Sequence, residues 1–359
     1  MLKFDMKVLL KTLPIFLIFT GISLTLWFLV KPKEWYETVN NPIGEKAEVL
    51  PKNTNPLQIE QLRKQSFLES EIFIEKALPQ GSNYLKYLVY YKSEGLKIYA
   101  LLTIPIGTSP KDGWPIIVFN HGYIPPSQYK TTERYLTYTD AFSRNGYVLI
   151  KPDYRGHGES EGAASGGYGS NVYTIDVLNA VSATKKLKDL QTNTHLIVNP
   201  ERIGMWGHSM GGFITLRNMV VRKDIKAGVI WAGVVASYED LFSKWRRPNN
   251  PSNPTPSTRG GTWRQTLVQE YGTPNENPNF WMSISANSYL KDISGPLQLH
   301  HGTKDSSVPV EFSQTLKEQM EKVGKEVELY IYDGNDHNLS ASLGVALDRS
   351  VKFFDKYLK

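Results

Sequence analysis

The stretch that most restricts this chain is Ile203-Gly-Met-Trp-Gly-His-Ser-Met-Gly-Gly212. A short apolar run ends in Ser209, which stands between Gly207 and Gly211, and a helical run opens at Met210. A serine on so sharp a strand-to-helix turn is held in strained backbone geometry, and its neighbours approach so closely that glycine is needed on either side. The turn lifts the Ser209 hydroxyl above the end of the strand and sets the positive end of a helix beneath it, where developing negative charge is favoured. The same five residues would also suit a glycine-rich turn that merely packs tightly, so the decision rests on what the rest of the chain brings to the turn.

The rest of the chain alternates. Apolar runs at Ile116–Phe119, Tyr147–Ile150, Ile203–Trp206, Ala227–Trp231, Leu297–Leu299 and Val327–Ile331 are separated by helical stretches near Thr131–Asn145, Val172–Leu190, Met210–Val221, Val310–Val323 and Ser340–Tyr357. Such alternation implies a mostly parallel sheet with helices on both faces. Ahead of it, two β-rich runs flank Ser93-Glu94-Gly95, a hairpin signal. Pro56–Leu78 reads as a short helix and then a strand packed on the main body. There is no internal repeat.

One segment interrupts the pattern. Ser237–Asn287 carries Pro248, Pro251, Pro254 and Pro256 among polar residues, with Trp245, Trp263 and Trp281 beside them. An insertion of this length reads as a cap over the site. The three tryptophans are its expected substrate-binding residues.

At the N-terminus, Thr12–Val30 is nineteen residues without a charge, about 28 Å of helix against a hydrocarbon core of ~30 Å. Lys3, Lys7 and Lys11 precede it, and Trp27, Trp35 and Tyr36 sit around its far end. The expected organisation is a membrane anchor over residues 1–31, a linker and extension over 32–80, and a catalytic domain over 81–359 with the cap at about 237–287. A single-pass protein of the cell membrane with its catalytic domain outside the cytoplasm follows from the lysine bias.

Composition closes off other chemistries. The chain has no cysteine, which excludes disulfide scaffolds, thiolate metal sites and cysteine nucleophiles. No two of its 7 histidines have a convincing metal-ligand spacing. The net charge of +6 comes from scattered Lys and Arg, so no nucleic-acid partner is expected.

The partners of Ser209 come next. Leu297–His300 runs into His301-Gly-Thr-Lys-Asp305, and Val327–Ile331 runs into Asp333-Gly-Asn-Asp-His337. A parallel sheet places functional groups just past the C-terminal ends of its strands. Three strand ends thus offer Ser209, Asp305 and His337 in the order nucleophile, acid, base. Singly, Asp305 would pass for a turn residue and His337 for a solvated loop; the coincidence of all three selects a catalytic triad. The N–H of Met210 and the N–H of Tyr123, in the Asn120-His-Gly-Tyr123 loop, are the expected oxyanion donors. His208, His157 and His195 are set aside, His208 because the turn directs neighbouring side chains apart. His300 and His301 are expected to shape the loop that carries Asp305.

With these residues in view, the chain from about Tyr84 resembles an α/β-hydrolase, and more closely the catalytic domain of the prolyl oligopeptidase (S9-type) group and its allied esterases. The motifs that carry the resemblance are FNHGY, PDYRGHGESEG, GHSMGG, HGTKDSSVP and DGNDHNL. The resemblance implies the same triad, Ser209, Asp305 and His337, acting through an acyl-enzyme with no metal or organic cofactor. The β-propeller that gates the S9 oligopeptidases has no room before Tyr84, which moves the expectation toward a carboxylesterase acting on small esters or short peptides. The alternatives are an S9-type aminopeptidase or dipeptidyl peptidase and, from another class, a noncatalytic binding or scaffold protein on the same fold.

Overall fold

The computed structural model describes residues 55–359 apart from 68–69, 166, 188–189, 191–196 and 246–262. The apolar segment Thr12–Val30 and the proline-rich tip of the insertion lie outside the described residues. Among the described residues no helix is long and apolar enough to cross a membrane.

The described residues begin with α1 (Ile59–Lys64) and then form β1 (Phe73–Leu78), β2 (Tyr84–Ser93), β3 (Leu96–Pro105) and β4 (Trp114–Asn120). It continues through α2 (Leu136–Arg144), β5 (Val148–Pro152), α3 (Val172–Thr184), β6 (Val198–His208), α4 (Met210–Val221) and β7 (Ile225–Trp231). The insertion supplies α5 (Tyr238–Ser243), α6 (Trp263–Tyr271) and α7 (Pro278–Ile284). The last elements are β8 (Leu297–Gly302), α8 (Glu311–Lys322), β9 (Val327–Tyr332) and α9 (Leu343–Leu358).

The strands form one sheet in the order β1-β2-β3-β5-β4-β6-β7-β8-β9. The first three strands pair antiparallel, and β3 joins β5 antiparallel; every later pair is parallel. The β2–β3 hairpin closes through Glu94 and Gly95, both at positive φ (49° and 82°), the two-residue turn whose twist matches the strands.

Why these runs are strands is visible in which way alternate residues point. In β4, Ile116 and Val118 enter the core on one face of the sheet, while Ile117 and Phe119 enter the core on the other. Helices α3 and α4 cover the first face, and Phe142 of α2 with Phe353 and Phe354 of α9 cover the second. A sheet buried on both faces needs continuous apolar runs, and those runs are what the sequence contains.

One boundary differs from expectation. The helix expected from Thr131 begins only at Leu136, because Tyr135 before it takes a left-handed conformation (φ 62°, ψ 26°). From Asn55 onward the described residues belong to one compact unit. β1 is the sheet's edge strand, and the fully buried Arg217 of α4 donates to the carbonyl of Leu57 at 2.6 Å. That bond ties the extension into the hydrolase body.

Candidate active site

The β6–α4 turn holds Ser209 at φ 56° and ψ −118°, a conformation that non-glycine residues rarely adopt. Its surroundings enforce this. The Ser209 N–H donates to the Trp231 carbonyl at 3.0 Å, and the Ser209 carbonyl accepts from Val234 N at 3.1 Å. A Cβ on Gly211 would collide with the Asn120 carbonyl, and one on Gly207 with the Gly211 carbonyl and the Thr215 hydroxyl. The two glycines of the motif are therefore steric requirements of the turn.

Asp305 lies past the end of β8 with its side chain fully buried. Its Oδ1 accepts from the N–H groups of Ser307 (2.8 Å) and Val308 (2.9 Å). Its Oδ2 accepts from His337 Nδ1 at 2.7 Å and from His301 Nε2 at 3.1 Å. Burial alone would raise the Asp305 pKa; the hydrogen bonds from His301 and His337 outweigh it and hold the group well below the usual carboxylate range. His301 is fixed in turn, with Nε2 also 3.0 Å from the Val308 carbonyl and Nδ1 2.7 Å from the Ser313 hydroxyl. It shapes the acid loop from beneath.

With its Nδ1–H hydrogen-bonded to Asp305, a neutral His337 imidazole offers the lone pair of Nε2 as its acceptor. Ser209 and His337 both line a pocket of about 360 Å³, with Tyr123, Tyr135 and Tyr138 on its other walls. Tyr123 follows β4 and is half-exposed at this rim. Met210 is the first residue of α4, so its N–H has no acceptor within the helix. The preceding donor in the loop is occupied: Gly122 N–H donates to the Tyr135 hydroxyl at 2.9 Å.

The structure does not bring the three tryptophans to this pocket. Trp281 is buried, with its indole N–H on the Gly272 carbonyl at 3.1 Å, and Trp245 is buried with its own on the Ser307 carbonyl at 2.9 Å. Trp263 packs on Tyr238 and Tyr168 and under the Arg264 guanidinium. They were expected to meet substrate because no strand pattern accounts for aromatics in an insertion; here Trp245 and Trp281 join the main hydrophobic core and Trp263 packs against it.

Three residues of the pocket were not legible in the sequence. Tyr135 and Arg134 lie in what reads as a helix, and Tyr138 one turn on reads as an ordinary half-buried aromatic. His208, expected to point away, lines the pocket as well. Among the described residues no group of three or more His, Asp or Glu is placed to hold a metal ion.

A nine-stranded mixed sheet, with a strained serine at the end of a central parallel strand and a carboxylate–imidazole pair carried by the loops after the second and third strands beyond it, defines an α/β-hydrolase. The model of the prolyl oligopeptidase family matches residues 134–359, and the chain belongs to that family. It is an S9-type serine hydrolase, a peptidase or an esterase.

"Uncharacterized peptidase YtmA" of Bacillus subtilis is 24% identical over 272 residues, which is 73% of this chain and 90% of that one. "Uncharacterized peptidase YuxL" of the same organism is 25% identical over 264 residues, 70% of this chain but only 35% of that longer protein. The solved esterase Pf2001 of Pyrococcus furiosus superposes with a TM-score of 0.54 at 20% identity, over 80% of this chain and 98% of its own. That likeness is one of fold.

Proposed function

We propose that this protein is a carboxylesterase-type hydrolase in which Ser209 is the nucleophile, His337 the general base and Asp305 the residue that orients it. The observation that carries this reading is the 2.7 Å contact from His337 Nδ1 to the buried Asp305 Oδ2, with His337 and the strained Ser209 lining one pocket. Ser209 Oγ attacks an ester carbonyl as His337 Nε2 takes its proton. Asp305 stabilises the imidazolium without itself becoming protonated. The N–H groups of Met210 and Tyr123 receive the developing oxyanion, each contributing about 3 kcal/mol to the transition state. His337 returns the proton to the leaving group, and the same imidazole then activates water to hydrolyse the acyl-enzyme.

The ester reading is favoured over aminopeptidase action by charge. Among the described residues that line the pocket, Arg134 is the one with a full charge, and there is no carboxylate. A substrate with a free α-ammonium would need an acidic partner and would instead meet a cation. Uncharged esters, and acyl groups carrying negative charge, fit this lining. The two peptidase relatives favour the alternative, amide cleavage by an S9-type aminopeptidase or dipeptidyl peptidase.

Thr12–Val30, uncharged and about 28 Å long as a helix, is proposed to anchor the protein in the cell membrane with the hydrolase outside the cytoplasm. Resistance of the full chain to alkaline-carbonate extraction, lost on deleting residues 1–31, tests this.

The test of the chemistry is Ser209→Ala. It is expected to abolish hydrolysis of short p-nitrophenyl esters and labelling by a fluorophosphonate while leaving the melting transition in place. Retained turnover would defeat the assignment. Parallel assays with aminoacyl-anilides decide between ester and amide.

A further inference from the structure

A single hydrogen-bonded chain runs through all the loops that meet at the pocket. Gly122 N–H donates to Tyr135 Oη at 2.9 Å. Tyr135 Oη lies 2.8 Å from His208 Nδ1, and His208 Nε2 lies 3.0 Å from the main-chain carbonyl of His337. The direction of every proton in it can be deduced. A carbonyl has no proton to give, so His208 Nε2 must be the donor to His337. Burial, with the neighbouring His337 adding to it, pushes the His208 pKa down to about 3, so the ring is neutral and Nδ1 is bare. The hydroxyl of Tyr135 must therefore donate to Nδ1. Its lone pairs are then free to accept from Gly122. With the ring neutral, no other assignment satisfies all the contacts.

The chain joins the oxyanion loop, the residue preceding the nucleophile and the backbone of the catalytic histidine. The loop that supplies Tyr135 is itself pinned. The buried Lys151 donates to the Arg134 carbonyl at 3.2 Å, and the buried Asp153 accepts from Thr131 at 2.5 Å and Tyr129 at 2.9 Å. Tyr135 is held at φ 62° just where its hydroxyl is needed, the kind of backbone strain that persists only when its surroundings determine it. Gly122 is hemmed in by the same groups: a Cβ there would lie 2.8 Å from Tyr135 Oη and 3.2 Å from His208 Nδ1.

We propose that Tyr135 and His208 are positioning residues of this hydrolase, locking the His337 loop and the oxyanion loop to the nucleophile elbow. The relay also occupies the Gly122 N–H, leaving the oxyanion to Tyr123 and Met210. The inference rests on the triad reading given above, and its test is scored only on sites that react with a fluorophosphonate.

Four variants of the full chain are compared: Tyr135→Phe, His208→Phe, the double variant, and His208→Gln. Tyr135→Phe removes one oxygen. His208→Phe keeps a ring against His337, whose centroid is 4.6 Å away, but removes both polar contacts. Each single variant is expected to lower kcat on p-nitrophenyl butyrate about 10- to 100-fold per labelled site, the scale of a displaced catalytic group, with KM little changed. The double variant should be no worse than the poorer single one, because a chain cut twice is no more broken than a chain cut once. His208→Gln should recover most of kcat, since an amide offers one acceptor and one donor as the neutral imidazole does.

Unchanged kcat in both single variants overturns the proposal, as does a glutamine variant no better than phenylalanine. If His208→Phe fails to fold, Tyr135→Phe carries the test alone. Failure of the triad reading shows differently: Ser209→Ala would then keep its turnover or its label.

Discussion

Replacing Asp305 by asparagine tests the site through a tautomer. The side chain accepts four hydrogen bonds, two at each oxygen. The backbone N–H groups of Ser307 and Val308 both point at Oδ1, so the amide oxygen of the asparagine must take that place. Its NH₂ then falls where Oδ2 was, facing His301 Nε2 and His337 Nδ1. His301 is held to the Val308 carbonyl at 3.0 Å and keeps its Nε2 proton. His337 accommodates the new donor only by baring Nδ1 and carrying its proton on Nε2, the atom that must accept the proton of Ser209.

The geometry survives while the base is in the wrong tautomer, a situation worth about 10⁴-fold in kcat, or about 5 kcal/mol at ~1.4 kcal/mol per tenfold. Steady-state hydrolysis of a p-nitrophenyl ester, with sites counted by fluorophosphonate, measures it. KM should change little, because Asp305 is not part of the pocket wall. A kcat within about tenfold of the unaltered protein would refute the tautomer argument.

The other predictions are shorter. The depressed pKa of Asp305 makes its contribution to stability complete above the unfolded carboxylate pKa of about 3.9 and lost as pH falls through the lower folded value; the melting temperature of the unaltered protein should therefore fall more steeply below about pH 4 than that of Asp305→Asn. Trp281→Ala should cost about 3–5 kcal/mol of stability, the scale of a large core truncation, while kcat/KM per labelled site on p-nitrophenyl acetate stays as it was; a large rise in KM would return this tryptophan to the substrate. Arg134→Glu should reduce the preference for an acyl chain ending in a carboxylate over its neutral analogue by about two- to fivefold at low salt, the scale of an exposed ion pair, and added salt should erase the difference. An equal effect on both esters would show that Arg134 does not read charge.

The strand–helix alternation, the elbow and the order of the three candidate catalytic residues were legible because they are local. A strand buried on both faces must be an apolar run, as at Leu297–Leu299, and a nucleophile turn must carry a glycine at 207, where a Cβ would strike the Gly211 carbonyl four residues on. His301 was legible as support for the acid loop for the same reason: it stands four residues from Asp305 in one turn. Each of these constraints acts within a few residues along the chain and leaves its mark on residue types there.

What the tertiary structure alone decided concerns groups brought together from distant positions. Nothing in the spacing of Tyr135, His208 and His337 says that one hydrogen-bonded chain joins them; that depends on a left-handed residue where helical periodicity would continue the helix. Nor does composition say whether an aromatic in an insertion faces substrate or its own core, since burial rewards Trp281 equally in either place until the neighbours are known. Local sterics write themselves into sequence. Long-range polar contacts and the allocation of apolar surface are settled only when the sheet has closed and each buried donor has found its acceptor.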